Sequence, residues 1–259
     1  MDLASFTHLL TPAGQEALAH AQLLEPREVD FLSHYQHLEK TYPRDLARAA
    51  LETAILRLEA SLKYPQSDKM YFTREALEQS SSFMVSAYRA ARFHSFERLL
   101  DLGCSIGGDT INLANYAPTI AVDIDPLRLT MAQANNQALG WADQVRFVQS
   151  DLTCSLPVSG FKQLAAFFDP ARRAAGTRVF SIRDYTPPLG TVKDWLLEIP
   201  ALGVKISPGV KMDEIASYDA EIEFISFKRK AEGGSPLVWT TQNCPIQSNC
   251  FTQLSFSGC

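Results

Sequence analysis

Apolar and polar positions along the chain change rhythm near residue 95. Before that point the rhythm is helical. Leu51, Ile55, Leu58 and Leu62 recur at spacings of three and four, with Arg44 and Arg48 before them and Glu52, Arg57 and Glu59 between them. This predicts an amphipathic helix after Pro43 with those four residues on its buried stripe. Pro12 and Pro43 suit first-turn positions. A shorter helix is predicted over residues 27–38. Another runs from Thr73, its N-cap, to about residue 92, with Glu75 and Glu78 near its positive end. Residues 65–70 form the hinge before it.

From residue 98 the chain reads as short apolar runs: RLLDLG, TIAVDI, QVRFVQ, LAAFFD, ALGVKIS and AEIEFISF. Helical patterns separate the earlier ones, notably over 126–139, where Asp125 can cap and Pro126 takes the first helical position. Strands alternating with helices predict an α/β fold with a doubly wound, mainly parallel, Rossmann-like sheet, preceded by a small all-helical region. The expected division is 1–66 for the helical region, 67–230 for the α/β domain and 231–259 for a tail of different character. No internal repeat is visible.

Composition narrows the class. With 46% hydrophobic and 20% charged residues in 259, disorder, collagen and coiled coil are excluded as the whole answer. A domain of this size needs no metal or disulfide staple, and no metal is expected. The net charge of −5 excludes a non-specific nucleic-acid coat, so any nucleic-acid contact is a local patch. No run approaches the roughly 20 apolar residues of a membrane span, so no membrane partner is expected. The start, MDLASFTHLLTPAGQ, lacks a basic n-region and an apolar h-region. Five Cys is an odd number and none forms a close C-x-x-C pair, which fits reduced thiols in a cytoplasmic protein. The oligomeric state is not legible.

Candidate chemistry begins at the turn after the first predicted strand, Asp101-Leu102-Gly103-Cys104-Ser105-Ile106-Gly107-Gly108-Asp109. A strand ending in a carboxylate, a Gly-rich turn and then a helix form a nucleotide-binding arrangement, since glycines admit close approach and positive φ. A dinucleotide is one possible ligand, because Asp123 lies 20 residues after Gly103. Against it, Ser105 occupies the second Gly position of G-x-G-x-x-G, and Asp101 would set a charge beside the pyrophosphate. GCSIG also matches the G-x-S-x-G nucleophile elbow. That motif needs a later His, whereas His8, His20, His34, His37 and His94 all precede Ser105. The third possibility is S-adenosylmethionine (SAM). The turn would cradle its amino-acid end with Asp101 near the ammonium. Asp123, ending the second strand, would accept from the ribose hydroxyls. Asp151, after the third, would accept from the adenine amine. One acid after each of three strands suits a cationic nucleoside better than a phosphate, although Asp109 and Asp125 suit turn and cap roles.

DLGCSIGGDT, AVDIDPLRL and VQSDLT resemble the first three motifs of class I SAM-dependent methyltransferases, over roughly residues 70–230. The stretch from AVDIDPLRL to VQSDL is similar to trimethylguanosine synthase-type enzymes and their bacterial relatives, which carry a helical N-terminal part and a THUMP-like C-terminal part. The resemblance implies SAM as cofactor, with Asp101, Gly103, Cys104, Gly107, Asp123, Ile124, Asp151 and Leu152 binding it.

The fourth run ends in Phe167-Phe168-Asp169-Pro170-Ala171-Arg172-Arg173. In amino-methyltransferases this place holds (N/D/S)-P-P-aromatic. Methyl transfer depends on in-line positioning and desolvation. A conjugated amine is a poor nucleophile, and a carboxylate with a backbone carbonyl can accept its N–H bonds and take the proton late. Asp169 and Pro170 are the candidate catalytic pair. No aromatic follows Pro170, so Arg172 is a candidate to stack on a base or bind phosphate, with Arg173 beside it. Phe72 and Tyr71 are candidates for a pocket wall. Between Asp169 and Arg183 there are four Arg and one acid, a local basic patch that fits RNA or a phosphorylated small molecule. Lys205-Ile206-Ser207-Pro208-Gly209 would rim the same opening, its turn chemistry sufficing to explain it. The expected activity is methylation of an amine on an RNA base. The alternatives are a small-molecule or protein acceptor, or an inactive SAM-binding chain.

Residues 231–259 hold one charged residue, Glu232, and three of the five Cys. Codons can be chosen for EGGSPLVWTTQN, residues 232–243, that read KEAVLWFGPHK one base later, a strand-like run resembling what family members carry after their sixth strand. This predicts a frameshifted tail, poorly ordered, that replaces the seventh strand. The sixth strand is then left with an open edge.

Overall fold

The computed structural model describes residues 1–154, 156, 158, 163–171, 173–174, 177–178, 181–207, 209–218, 220–228, 237–240 and 250–257. Contacts divide the chain into two units. The first comprises 1–82, 105–107 and 125–142; the second comprises 83–104, 108–124 and 143–259.

The first unit is helical: α1 (Leu3–Leu9), α2 (Pro12–Leu23), α3 (Phe31–Leu38), α4 (Arg44–Ala60) and α5 (Arg74–Gln79), with α8 (Pro126–Ala138) joining them. Side-chain caps start several of these helices. Thr11 accepts from Gly14 N, Thr73 from Ala76 N, and Asp125 from Leu127 N and Arg128 N. Pro12 and Pro126 occupy first-turn positions. Pro43 stands not in the first turn but at the N-cap position of α4, with no side-chain cap bond.

The buried stripe of α4 differs from the one expected. Leu51 and Ile55 are buried, but Leu58 and Leu62 are exposed. Alongside Leu51 and Ile55 the buried positions include Leu46, Ala47, Ala49, Ala50 and Ala54, and they continue into Leu56, Arg57 and Ala60. Small alanines let neighbouring helices approach. The Arg57 guanidinium donates to Met70 O at 2.9 Å and lies 4.8 Å from the Tyr71 ring centre, which offsets its desolvation. The single helix expected from Thr73 to about residue 92 is two. It breaks at Ser80–Ser82 between α5 and α6 (Phe83–Ala91), where Ser80 turns extended and its hydroxyl donates back to Leu77 O.

The second unit holds α6, α7 (Thr110–Leu113), α9 (Val192–Trp195), α10 (Met212–Ile215) and every strand. These are β1 (Arg98–Leu102), β2 (Thr119–Asp123), β3 (Val145–Gln149), β4 (Leu164–Phe168), β5 (Arg173–Ala174), β6 (Thr177–Arg178), β7 (Ala201–Ile206), β8 (Glu221–Lys228), β9 (Leu237–Thr240) and β10 (Cys250–Ser257). The six apolar runs of the sequence are β1, β2, β3, β4, β7 and β8. The large sheet has the order β3-β2-β1-β4-β7-β10-β8-β9, and β5-β6 is a small antiparallel pair. Strands β3 to β7 along this order are parallel.

Both faces of the central strands are buried, as a wound sheet requires. Leu99, Ala165 and Phe167 pack with Ala90, Phe93 and Leu113 on one face. Leu100, Leu102, Ala166, Phe168, Val204 and Ile206 pack with Ile182, Leu189, Val192 and Trp195 on the other. Phe168 meets Trp195 edge-on at 4.9 Å.

The expected vacancy beside the sixth strand is corrected. β10 lies antiparallel between β7 and β8, with Leu254 opposite both Val204 and Ile222. β9 pairs with the outer edge of β8. Ladder bonds come from the backbone, so any segment of extended-compatible residues can complete them. The signal was present in CFTQLSFS, where Leu254 and Phe256 alternate with Gln253 and Ser255.

Candidate active site

Asp101 is the fourth residue of β1 and is 1% exposed. Thr110, which opens α7, donates its hydroxyl to Asp101 Oδ2 at 2.5 Å, while Oδ1 is buried with no hydrogen-bond partner. Burial is the main reason the carboxyl is pushed well above its ordinary range. The charges of Asp109, Asp169 and Asp123 add to this, and the Thr110 bond opposes it. An orphaned buried acceptor is costly unless a ligand completes it.

The turn after β1 is built from unusual backbone. Gly103, Ser105 and Gly107 all have positive φ, at 79°, 50° and 80°. The N–H groups of Gly103 and Cys104 both donate to Val122 O at 2.9 Å. A Cβ on Gly103 would lie 2.6 Å from the backbone oxygen of Asp169, so only glycine fits there. The Cys104 thiol is buried, and burial, reinforced by Asp101 and Asp123, pushes it well above its ordinary value. It is therefore an inert thiol rather than a nucleophile.

Asp109 pairs with Arg89, a buried residue of α6 whose guanidinium lies 4.8 Å from the Phe167 ring centre. Burial alone would raise the Asp109 carboxyl, but the charges of Arg89 and Lys205 hold it below the usual range. Asp123 ends β2 and is buried, and its carbonyl accepts from Ser150 N at 3.1 Å. Ile124, just beyond, is 59% exposed.

Asp169 follows β4, and its N–H donates to Leu102 O at 3.0 Å. Lys205, 1% exposed on β7, donates to Asp169 Oδ2 at 2.6 Å. Pro170 is buried. After it, Ala171 exchanges two backbone bonds of 3.1 Å with Thr186.

The structure thus brings Asp101, Gly103, Cys104, Asp123, Asp169 and Pro170 to the C-terminal ends of β1, β2 and β4, the usual ligand position on such sheets. Other candidates have local explanations. Asp151 Oδ1 accepts from Thr153 N and Thr153 Oγ1 at 2.8 and 2.7 Å, bonds that lower its carboxyl. Leu152 packs in the core of the second unit. Gly107 and Phe72 belong to the first unit. A Cβ on Gly107 would meet Asn136 Nδ2 at 2.8 Å, and Phe72 is a core ring 5.6 Å from Tyr64 that lines a cavity of about 430 Å³ with Phe31 and Ile55. Arg172 and the Arg173 side chain lie outside the described residues.

Two residues, Arg89 and Asn135, escaped the sequence reading, and Lys205, read there only as part of a turn rimming the opening, is instead the buried partner of Asp169. Lys205 had a signal, as a lone cation between Val204 and Ile206 in an apolar strand. Asn135 is fully buried on α8; it accepts from Tyr71 N and donates to Tyr71 O and Ile106 O.

The donor set fits SAM. Asp101 Oδ1 is an unused buried acceptor suited to a cationic amine, the turn has no side chain at Gly103, and Asp123 is an acid one strand over. Among the described residues no group of three or more His, Cys, Asp or Glu could hold a metal ion. No helix among them is long and apolar enough to cross a membrane.

Comparisons with known proteins agree with this geometry. Residues 96–174 match the family model of RNA cap guanine-N2 methyltransferases, and residues 2–60 match a domain of unknown function. An uncharacterized S-adenosylmethionine-dependent methyltransferase of Mycobacterium tuberculosis is 33% identical over 193 residues, 71% of this chain and 52% of that protein. The chain therefore spans about half the length of that relative. Trimethylguanosine synthase of Schizosaccharomyces pombe is 31% identical over 98 residues, 35% of this chain and 41% of that one. A proposed methyltransferase from Porphyromonas gingivalis W83 shares the fold, with a TM-score of 0.55 and 17% identity over 83% of this chain and 66% of that one. By its motifs, its sheet and these relatives, the chain belongs to the class I SAM-dependent methyltransferases.

Proposed function

We propose that the chain methylates an amine on an RNA base. The observation that carries this is the adjacency of Gly103 and Asp169, which sets the turn after β1 directly against the backbone carbonyl of the Asp-Pro motif. In this assignment Asp101 takes the ammonium of the cofactor, Asp123 the ribose hydroxyls and Asp151 the adenine amine, with Gly103, Cys104 and Gly107 shaping the turn and Ile124 and Leu152 flanking the nucleoside. When bound, SAM supplies an electrophilic methyl group on a sulfonium. Asp169 accepts an N–H of the acceptor amine, orients its lone pair and takes the proton once the nitrogen has become cationic. The Pro170 segment closes the site against water. Arg172 and Arg173 meet the base or its phosphates.

The acceptor class is supported by the description of the matched family and by the trimethylguanosine synthase relative. The four Arg between Asp169 and Arg183 add a local attraction for phosphates. Transfer of tritiated methyl groups to cellular RNA tests this. RNase-sensitive label is expected with the wild-type chain and none with Asp169→Ala. Label confined to protein or to small molecules would overturn the RNA assignment.

A further inference from the structure

Lys205 carries an inference beyond this. It sits at the C-terminal end of β7, where the β4–β7 register sets Phe168 opposite Val204 and brings residue 205 level with Asp169. Val204 and Ile206 point into one apolar face, so Lys205 points to the other, the face of Arg89, Asp109 and Asp101. There its ammonium is buried, bonded to Asp169 Oδ2 at 2.6 Å, and its charge also reaches Asp109. Two cations thus face two acids, Arg89 with Asp109 and Lys205 with Asp169. Burying a lysine ammonium is costly before its partner compensates. A hydrophobic residue at position 205 would avoid that cost, so stability alone is a poor reason for it.

We propose that Lys205 is a positioning residue for methyl transfer. It engages one oxygen of Asp169 and fixes the plane of the carboxylate, leaving Oδ1 to accept the N–H of the acceptor amine. A mobile carboxylate would sample orientations that misalign the amine, and a misplacement of about 1 Å can cost about 100-fold in rate. This rests on the assignment of Asp169 to the acceptor side of the site.

The test is a double-mutant cycle on the full chain. Lys205→Met should slow single-turnover methyl transfer about 100-fold while the SAM dissociation constant changes less than about twofold. Lys205→Arg, which can still hold the carboxylate, should recover most of the loss. In an Asp169→Asn background Lys205→Met should cost the transfer step little further, because in this role the lysine acts on that step through the carboxylate. Independent losses, or weakened SAM binding, would overturn the proposal. The neutral pair Asp169→Asn/Lys205→Met keeps this comparison available where Lys205→Met alone does not fold. A second measurement needs no turnover. A protected Lys205 ammonium resonance should be visible by heteronuclear NMR and disappear in Asp169→Asn; its absence from the wild type, or its survival in the variant, would also overturn the role. Transfer is followed into whichever fraction the wild type labels. Label in protein would sink the RNA acceptor while leaving the Lys205 cycle readable.

Discussion

The backbone carbonyl of Asp169 lies against the α-carbon of Gly103, so close that a Cβ would stand 2.6 Å from it. One consequence is that no side chain fits between the turn and the Asp-Pro segment. Gly103→Ala meets both this contact and a φ of 79°, where an L side chain costs about 1–2 kcal/mol. The expected result is a lower melting temperature and at least a tenfold loss of SAM affinity by calorimetry. Unchanged affinity would separate the turn from cofactor binding.

The role proposed for Asp101 makes cofactor binding pH-dependent. Its carboxyl is raised above 3.8 in the folded chain by burial first and then by Asp109, Asp169 and Asp123, with the Thr110 hydroxyl on its other oxygen. The folded state therefore holds a proton that the unfolded state has released. Stability of the ligand-free chain should fall as pH rises from the ordinary carboxylate range to the raised value, and level off above it. A cationic ligand favours the ionised form, so SAM affinity should rise with pH over that window and binding should release a proton. Calorimetry in two buffers of different ionisation enthalpy measures that proton. In Asp101→Asn the affinity should be weak and flat with pH; a persisting slope would assign the proton elsewhere.

Asn135 is a second structural prediction. Asn135→Ala leaves the Tyr71 N–H and the carbonyls of Tyr71 and Ile106 without their partner in a buried place. Unsatisfied buried groups cost about 1–3 kcal/mol each, so for these three a loss of at least about 3 kcal/mol is expected from thermal or urea unfolding. A loss under about 0.5 kcal/mol would show that water replaces the side chain.

The tail supplies a third. Leu254 pairs on both sides, with Val204 and Ile222. Leu254→Pro removes a donor in a central strand and should expose the edges of β7 and β8, giving aggregation and a broadened melt. A sharp melt at the wild-type temperature would mean that the strand contributes little. Whether residues from Glu232 onward are read one base out of frame is a separate proposal. Sequencing the gene across codons 232–243 decides it, since a true shift restores KEAVLWFGPHK.

Six strands and the wound-sheet class were legible because apolar runs of strand length between helical patterns admit few other folds. The turn after β1 was legible too, because two of its three positive-φ positions are glycines, Gly103 and Gly107. The break at Ser80–Ser82 was not, because serines are neutral enough in helix propensity to be read through. Leu58 was misplaced because a 3.6-residue period admits neighbouring stripes, and alanines on the true one carry little weight in a hydrophobic pattern.

The sequence by itself therefore determined the kind of fold, the order of its elements and the acids near the ends of its strands. The tertiary structure alone decided which acids are compensated. It set Lys205 beside Asp169 across 36 positions and Arg89 beside Asp109, and left one oxygen of Asp101 buried without a partner. The physical reason is that strand and turn propensities act over a few neighbouring residues, whereas the charge state of a carboxylate depends on burial and on cations that packing brings from distant strands and helices.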